Sequence, residues 1–373
     1  MDLIPSEIAD IAAEFELPGP LVGAEPFGPG HINDSYRLTC GTPAGPARFL
    51  LQRLNTTVFT RPAAVMENIL RVTEHILREL RARGASDIER RVLRLAATRP
   101  HTGRTPRHWH VDIQGQYWRI YHFIENTTCH DVVQTAEQAE CAGRAFGEFQ
   151  ALLANLPTAG LHETIPAFHD TPARLAALEQ AVADDAAGRV GEARAEIDAA
   201  LRRRALADTL LKLQRDGAVA VRTVHNDAKL SNILCDADTS AALCVIDLDT
   251  VMPGLSLFDF GDMVRSMTCA AAEDERDCTR VQVDPAIFAS LARGYLSSAG
   301  RFLTPVERAH LVLAGQVITL EQAARFLTDY LRGDRYYRIH APDQNLARTR
   351  AQLALLTSLE RHAAELERAI RAP

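Results

Sequence analysis

The segment HNDAKLSN, residues 225–232, gathers acid–base and metal-binding groups between two apolar runs. Asp227 and Asn232 stand five residues apart in it, and a second acidic segment, IDLDT, places Asp247 after the apolar run 243–246. A hairpin that returns over this interval can bring Asp247 opposite Asn232. Their carboxylate and amide oxygens are hard ligands of the kind that Mg²⁺ prefers, with phosphate oxygens completing its shell. Asp227 would stand nearby to accept the proton of an attacking hydroxyl, so the pattern predicts phosphoryl transfer.

The elements that must position these groups change character along the chain. Strand-like runs separated by Gly and Pro turns lie before residue 124, whereas later segments have mostly helical periodicity. The predicted strands are 22–27, 35–39, 47–54, 109–113, 116–124 and a later pair around 219–224 and 243–248. The predicted helices are 5–17, 61–83, 136–153, 172–215, 285–296, 305–331 and 345–370. A β-rich first third followed by a helical remainder predicts an α+β fold with two lobes.

We place the small antiparallel β-rich N-terminal lobe at 1–124 and the large, mainly α-helical C-terminal lobe at 125–373, with a hinge at about 119–126. The net charge of −7 and the absence of a basic block argue against a nucleic-acid or membrane-surface partner. Seven cysteines without metal-ligand spacing suggest a reducing compartment. With no secretory pattern at the N-terminus, we expect a cytoplasmic protein.

Seven motifs in register resemble the N-acetylhexosamine 1-kinases of the aminoglycoside phosphotransferase and choline kinase superfamily, which has the protein-kinase-like fold. They are GPGHINDSY, FLLQRLN, VMENI, HND-K-x-x-N, VIDLDTVMPG, FDFGD and LTDYLRGDRYY. The resemblance extends over residues 20–355, and it implies a kinase that transfers phosphate from ATP to a small acceptor. The implied acceptor is the anomeric hydroxyl of N-acetylglucosamine or N-acetylgalactosamine.

This resemblance assigns roles to the two acidic segments. Asp227 would be the catalytic base, and Asn232 with Asp247 would bind Mg²⁺. His225 could act as a general base or as a structural brace, and we favour the brace. Asp249, expected on the same strand face as Asp247, would contact a second metal or brace the loop, and the sequence does not choose.

The nucleotide side is less well defined. Gly28 and Gly30 lie in a turn whose backbone could cradle phosphates. The lysine that this fold normally carries on its third strand is replaced by Gln52 and Arg53; strand alternation does not decide which faces inward, and we favour Arg53. Its helix partner would be Glu67 or Glu74. In the segment WRIYHFI, Tyr121 and Phe123 would belong to the hinge that binds adenine.

On the acceptor side, a sugar needs groups that bracket its hydroxyls and an aromatic surface for its ring. His31 and Asp34 follow the glycines, and Asp262 lies in FDFGD, whose two acids we expect to frame a turn. Arg325 could be half of a surface ion pair at helical spacing. The resemblance instead makes Arg325 and Tyr336 sugar contacts.

Two other hypotheses remain. The protein could be a related kinase for another hexose, an aminoglycoside, choline or homoserine. It could also be a catalytically inactive kinase fold that senses a ligand, because the strand lysine is missing. Intact Asp227, Asn232 and Asp247 argue against inactivity.

Overall fold

The computed structural model describes residues 5–28, 32–100 and 105–371. The chain divides into two compact units. The first contains the chain up to Thr127 together with Leu161–Ile165 and Ile246–Val251, and the second contains Thr128–Gly160, Pro166–Val245 and the chain from Met252 onwards. One unit holds a small antiparallel sheet and the other is mainly helical, which confirms the predicted α+β fold. A single boundary near residue 125 does not describe the division, because two later segments join the first unit.

The first unit is built on a five-stranded antiparallel sheet of order β1-β2-β3-β5-β4. Its elements are α1 (Pro5–Ala13), β1 (Leu21–Pro26), β2 (Asp34–Thr42), β3 (Gly45–Arg53), α2 (Pro62–Ala82), α3 (Ile88–Arg91), β4 (His110–Val111) and β5 (Tyr117–His122). The boundary between the units falls within the two-residue strand β6 (Thr127–Thr128). A 3-10 turn, Leu248–Thr250, also belongs to this unit.

Side-chain alternation gives the sheet two different faces. One face carries Leu38 and Leu51, which are buried with α1 residues such as Phe15 in one apolar cluster. The opposite face carries Gln52 of β3 directly across from Arg119 of β5. The sheet therefore has an apolar core face and a face with polar side chains at its centre.

The second unit is mainly helical. Its elements are α4 (Ala136–Leu153), α5 (Thr171–Asp184), α6 (Arg194–Leu201), α7 (Arg204–Ala207), α8 (Thr209–Arg215), β7 (Arg222–Val224), β8 (Ile233–Asp236), β9 (Ala242–Val245), β10 (Met252–Gly254), α9 (Ser256–Met267), α10 (Pro285–Ala299), α11 (Pro305–Ala309), α12 (Leu311–Leu331) and α13 (Gln344–Arg371). Strand β8 pairs with β9, and β7 pairs with β10, in both cases antiparallel. Along the described residues, no helix is long and apolar enough to cross a membrane.

Four predictions about this unit need correction. The segment 172–215, predicted to be helical with a helical hairpin inside it, forms four helices, and 305–331 is divided at His310. A hairpin of the predicted strands 219–224 and 243–248 would require β7 to pair with β9, but β7 pairs with β10 and β9 pairs with β8. The acids of FDFGD do not frame a turn, because this motif lies inside α9.

Helices α9 and α12 approach each other through glycine. A Cβ added to Gly261 of α9 would come within 2.5 Å of the carbonyl oxygen of Ala314, and one added to Gly315 of α12 within 2.7 Å of Val264. A larger residue at either position would force the two helices apart. The glycine in FDFGD therefore has a packing role, and it fixes the distance between two helices that carry candidate site residues.

Candidate active site

The loop of residues 225–232, which we call the catalytic loop after its predicted role, connects β7 to β8, with a 3-10 turn at Leu230–Asn232. Asp227 projects from it with 28% of its side chain exposed. Its Oδ2 accepts hydrogen bonds from Lys229 Nζ at 2.8 Å and from Asn232 Nδ2 at 3.0 Å. Among the described residues, no donor reaches Oδ1 of Asp227. That oxygen can therefore accept a hydrogen bond from an acceptor hydroxyl.

The charge state of Asp227 follows from these contacts. Burial raises the pKa of its carboxyl group, but the nearby Lys229 charge, the Lys229 hydrogen bond, His225 and Asn232 outweigh burial and lower the pKa to about 2. Asp227 is consequently ionised throughout the physiological range. It is a strong hydrogen-bond acceptor but a weak base.

Asn232 has a defined orientation. Its Nδ2 donates to the carbonyl oxygen of Asp227 at 2.8 Å as well as to the carboxylate, which leaves Oδ1 as the side-chain atom able to bind a cation. This arrangement fits a Mg²⁺ ligand, because Mg²⁺ binds hard oxygen atoms. Within the described ranges, no cluster of three or more His, Cys, Asp or Glu side chains suits a metal ion.

The catalytic loop is anchored by a buried carboxylate on α9. Asp259, fully buried, accepts the backbone N–H groups of His225 at 2.9 Å and Asn226 at 2.7 Å, and a third hydrogen bond comes from Gln150 at 2.6 Å. Asn226 has φ of 65°, in the left-handed region that non-glycine residues seldom occupy. The two amide hydrogen bonds hold the backbone in this unusual conformation directly before Asp227.

His225 is placed as a brace. It is fully buried, and its ring packs edge-on against Phe146 and Phe149, with centroids 5.5 and 5.7 Å away. Its Nδ1 accepts the backbone N–H of Asp227 at 3.3 Å. This placement favours the bracing role over the general-base role.

A second buried support reaches the loop from α12. His169 Nε2 lies 3.1 Å from the carbonyl oxygen of Asn226, and its Nδ1 lies 2.8 Å from Glu321. Burial lowers the pKa of His169, but the Glu321 carboxylate outweighs it and the net shift is upward. Glu321 is 1% exposed and also accepts a hydrogen bond from Thr171 at 2.8 Å. It is therefore not half of a surface pair with Arg325.

In the first unit, Asp247 and Asp249 lie in residues 246–251, which we call the acidic turn. Asp247 does not continue a strand, because it has φ of 60° and begins the 3-10 turn Leu248–Thr250. The two acids consequently differ in surroundings: Asp247 is exposed, whereas Asp249 is 2% exposed. The prediction that they share one strand face is wrong.

Asp249 is occupied by protein donors. Arg119 donates from Nη1 to Oδ1 and from Nη2 to Oδ2, the latter at 3.0 Å, and Asn33 Nδ2 donates to Oδ2 at 2.6 Å. Burial lowers the pKa of the Arg119 guanidinium, but the charge of Asp249 outweighs it and the net shift is upward. These contacts favour the bracing role of Asp249 over a second metal site.

Arg53 and Gln52 project from opposite faces of β3. Arg53 Nε donates to Asp34 at 2.9 Å, and its guanidinium lies 5.8 Å from the Trp118 ring, on the face that carries the apolar cluster. Gln52 lies on the face of Arg119 and accepts its Nε–H at 3.0 Å. The contact of Arg53 with ATP stays a prediction. The geometry favours the opposite face of the sheet, which carries Gln52 and Arg119, for a side chain that points away from the apolar cluster.

Neither expected glutamate partner of Arg53 is observed. Glu67 lies 2.6 Å from His162 instead, and the carboxylate next to Arg53 is Asp34. Two predicted site residues, Arg53 and Asp34, are thus brought together as an ion pair. No contact of theirs with the acidic turn is observed in the part of the chain that is described.

Of the predicted phosphate loop, Gly30 and His31 lie outside the described residues. Gly28 has φ of 78°, a conformation that suits glycine, and no atom would obstruct a Cβ there. Before it, the Phe27 ring contacts Phe123 edge-on at 5.4 Å. The Phe27 ring also lies 5.6 Å from the Arg37 guanidinium.

The predicted hinge backbone is already used within the first unit. Tyr121 pairs with Leu50 of β3 and forms a bridge to Leu95, and the Phe123 N–H donates to Arg48 at 3.2 Å. The Tyr121 ring lies 5.1 Å from the Arg119 guanidinium. The expectation that this backbone binds adenine stays a prediction.

The predicted acceptor residues of the second unit lie on α9, α12 and the segment after α12. Asp262 is 5% exposed and accepts a hydrogen bond from Arg265 at 2.8 Å. Arg325 lies 5.0 Å from the Phe168 ring and 5.8 Å from the Tyr337 ring. Within the described chain, its one hydrogen bond is from Nη1 to Gln322 at 3.1 Å. Its Nε and Nη2 are thus available to a ligand.

The segment after α12 is shaped by Asp329. This carboxylate accepts the backbone N–H groups of Arg335, Tyr336 and Tyr337 at 2.8–2.9 Å. Tyr336 is 53% exposed, and its ring contacts Tyr337 at 4.8 Å. Asp329 therefore orders the two tyrosines rather than binding a ligand itself.

The sequence interpretation missed four of these contacts. Lys229 stood inside the quoted motif and its proximity to Asp227 was a usable signal. Asp259, His169 and Arg119 act on partners 33, 57 and 130 residues away, and no local pattern indicates such pairs.

A sequence profile of the phosphotransferase enzyme family matches residues 23–303. The chain therefore belongs to the phosphotransferase enzyme family, the group of aminoglycoside phosphotransferase and choline kinase-like proteins.

Solved structures show the same fold. A spectinomycin phosphotransferase determined with ADP and spectinomycin is similar at a TM-score of 0.56 and 11% identity, covering 96% of this chain and 99% of that one. A microcompartment-associated aminopropanol kinase gives 0.54 and 15%, covering 97% and 98%. A choline/ethanolamine kinase family protein from Mesorhizobium loti gives 0.52 and 15%, covering 98% of each chain. At these identities the likeness establishes the protein-kinase-like fold and no particular acceptor.

Proposed function

We propose that the protein is an ATP- and Mg²⁺-dependent kinase that phosphorylates the anomeric hydroxyl of N-acetylglucosamine or N-acetylgalactosamine. The observation that carries the kinase assignment is the Asp227 carboxylate, ionised, held on an anchored loop, with Oδ1 unoccupied by the described donors. A catalytically inactive ligand sensor would not need that oxygen to be kept available. The ADP-bound spectinomycin phosphotransferase of the same fold supports ATP as the phosphate donor.

In this proposal, Asp227 Oδ1 accepts the hydrogen bond of the acceptor hydroxyl and orients its oxygen toward the γ-phosphorus. The new O–P bond forms as the bond to the β–γ bridging oxygen breaks; the proton passes to Asp227 and ADP leaves. Since its pKa is about 2, Asp227 is a weak base, and we assign it orientation of the nucleophile as well as proton transfer. An anomeric hydroxyl is more acidic than an ordinary alcohol, which suits a weak base.

The Mg²⁺ assignment uses Asn232 and Asp247, whose oxygens fit a hard cation. Bound Mg²⁺ would neutralise the phosphate charge that develops during transfer. On the nucleotide side, Gly28 and the Phe27–Phe123 pair remain our candidates for phosphate and base contacts.

The acceptor assignment rests on the resemblance and on Arg325. Its unpaired N–H groups can donate to a hydroxyl or acyl oxygen, and the exposed ring of Tyr336 can pack against a sugar. A fixed guanidinium at this position disfavours polycationic acceptors such as aminoglycosides. A neutral sugar fits these groups better than an amine does.

The test is a panel of acceptors followed by product analysis. N-acetylglucosamine, N-acetylgalactosamine, glucose, galactose, choline, homoserine and an aminoglycoside are incubated with MgATP, and ADP release and ³¹P NMR of the product are recorded. We expect a sugar 1-phosphate, and a 1-deoxy sugar should bind and inhibit without accepting phosphate. Phosphate on the 6-hydroxyl would refute the 1-kinase proposal, and sugar binding without ADP release would favour the ligand sensor.

Arg325→Ala gives a second test of the acceptor assignment. Losing one hydrogen bond from a charged group costs about 1.5–3 kcal/mol, so KM for the sugar should rise about tenfold or more while KM for ATP stays within twofold. Arg293→Ala, at an exposed arginine of the same unit, is the matched control. Equal changes in both KM values would remove Arg325 from the acceptor site.

A further inference from the structure

Arg119 is a charged residue placed where charges are costly. It lies on β5 with 1% exposure, and its guanidinium is enclosed by Gln52, the Tyr121 ring and Asp249. A buried guanidinium persists only when its N–H groups and its charge are matched. Here Asp249 supplies the charge through a bidentate contact, Gln52 accepts the Nε–H, and the Met66 sulfur lies 4.0 Å from Nη1. All three nitrogen atoms of the Arg119 guanidinium therefore have protein partners in the first unit.

The Asp249 carboxylate joins three segments of the first unit. Arg119 belongs to β5, Asp249 to the acidic turn and Asn33 to the segment that precedes β2. Asn33 is itself fixed, since its Oδ1 accepts the backbone N–H of Asn55 at 2.9 Å. The buried ion pair therefore ties the acidic turn to the chain that follows the predicted phosphate loop.

The acidic turn needs such support. Asp247 occupies the left-handed region at φ 60° and ψ 56°, which is unfavourable for a residue with a side chain. Two residues later, Asp249 is held by Arg119, and at the end of the turn the carbonyl oxygen of Val251 accepts a hydrogen bond from Asn68 of α2 at 2.9 Å. The backbone that follows the exposed Asp247 is therefore held at two points within the acidic turn.

We propose that Arg119 is a positioning residue, which through Asp249 holds Asp247 in its metal-binding orientation and, through the contact of Asp249 with Asn33, joins the acidic turn to the start of β2. In this chain, a buried arginine on β5 thus takes a supporting position beside the strand that lacks the expected lysine. The inference rests on the proposed function in assigning Asp247 to Mg²⁺.

The main experiment measures metal binding without turnover. Mn²⁺ binding in the presence of ADP is followed by electron paramagnetic resonance in the wild-type protein and in Arg119→Lys, Asp249→Asn, Asn33→Ala and Asp247→Asn. Supports of metal ligands commonly contribute 10- to 100-fold in affinity, so Arg119→Lys and Asp249→Asn should each weaken Mn²⁺ binding about tenfold or more. The double variant should be no weaker than the worse single variant, because both remove one ion pair. Arg48→Met, at an exposed arginine of β3, is the control and should bind normally.

A second measurement does not depend on metal. Hydrogen exchange of the metal-free protein should show faster exchange in residues 246–251 and 32–35 of Arg119→Lys, with unchanged exchange in the second unit. Circular dichroism establishes that each variant is folded, and if either Arg119→Lys or Asp249→Asn fails to fold, the other carries the test. Asn33→Ala, which loses only the third hydrogen bond to Asp249, should weaken Mn²⁺ binding by a smaller factor and speed exchange in residues 32–35.

The outcomes separate the two levels of the proposal. If Asp247→Asn abolishes Mn²⁺ binding while folded Arg119→Lys and Asp249→Asn bind within twofold of wild type, the positioning role is overturned and the proposed function stands. If the wild-type protein binds no Mn²⁺ with ADP, or Asp247→Asn binds it normally, the metal assignment fails. Unchanged exchange in residues 246–251 would then overturn the structural part of the inference as well.

Discussion

The catalytic loop of the second unit and the acidic turn of the first unit both contain an unfavourable backbone conformation. Different contacts stabilise it in the two segments. Each contains a non-glycine residue in the left-handed region, Asn226 at φ 65° and Asp247 at φ 60°, next to or at a candidate site residue. In the catalytic loop, Asp259 binds two backbone N–H groups directly. In the acidic turn, the support acts on a side chain, because Arg119 binds the Asp249 carboxylate. Direct backbone support fixes the position of Asp227, whereas side-chain support holds the backbone that follows Asp247.

The largest effect is expected from substitution of Asp227. Asp227→Asn should fold and bind MgATP, but turnover should fall by about 10²-fold to 10⁴-fold or more, since both orientation and proton transfer are lost. Steady-state kinetics with a nucleotide-binding assay measure both effects. Turnover within tenfold of wild type would show that the anchored loop does not carry the base.

Asp247→Ala should affect metal dependence instead. The Mg²⁺ concentration for half-maximal rate should rise at least about tenfold, because a charged oxygen ligand is removed. A Mg²⁺ titration at saturating ATP provides the measurement, and Asp238→Ala, an acid of the β8–β9 hairpin, is the control. An unchanged dependence of the rate on Mg²⁺ concentration would show that the acidic turn has only a structural role.

Asp259→Asn tests the backbone support. An amide in place of the carboxylate loses at least one acceptor for the loop N–H groups, so the free energy of unfolding should fall by about 1–3 kcal/mol and turnover should drop. The Mg²⁺ concentration for half-maximal rate should stay within twofold of the wild-type value. Chemical denaturation and the Mg²⁺ titration are compared with those of Asp249→Asn, and the same metal effect in both would end the distinction between the two supports.

Lys229→Met should produce the smallest effect, a change in pH dependence. In the wild-type protein the pKa of Asp227 is about 2, so its ionised form persists across the range in which activity can be measured. Without the Lys229 charge and hydrogen bond, burial becomes the larger influence and raises the pKa, so activity should now be lost as pH falls through the raised value. The pH profile of kcat/KM should show an acid limb at higher pH than in the wild type. Identical acid limbs would mean that Lys229 does not control Asp227.

Local sequence patterns predicted the helices and strands better than the side-chain contacts that hold the catalytic loop and the acidic turn. The strands of the first unit and the loop between β7 and β8 follow from alternation and from polar residues between apolar runs. Helix α9 was missed because the Pro253-Gly254 turn signal stands directly before it, and FDFGD is too short to show helical periodicity.

The placement of candidate site residues shows the same limit. Arg53 and Gln52 are adjacent, and period-two alternation puts them on opposite faces without stating which face is the core; only the pairing with Asp34 and with Arg119 decides it. The difference between Asp247 and Asp249 was hidden because the strand ends at Val245. Such outcomes depend on contacts between distant segments, which a local pattern does not contain.

The contact between α9 and α12 has a consequence for redesign of the acceptor specificity. The two glycines, Gly261 and Gly315, set the helix separation by backbone proximity rather than by adjustable side chains. Arg325 lies nearly three turns beyond Gly315 on α12, so substitutions around Arg325 can alter the proposed acceptor surface while the helix that carries Asp259 stays in register. Libraries directed at the acceptor should therefore keep both glycines unchanged and vary the later turns of α12, where new specificities can arise without displacing the base.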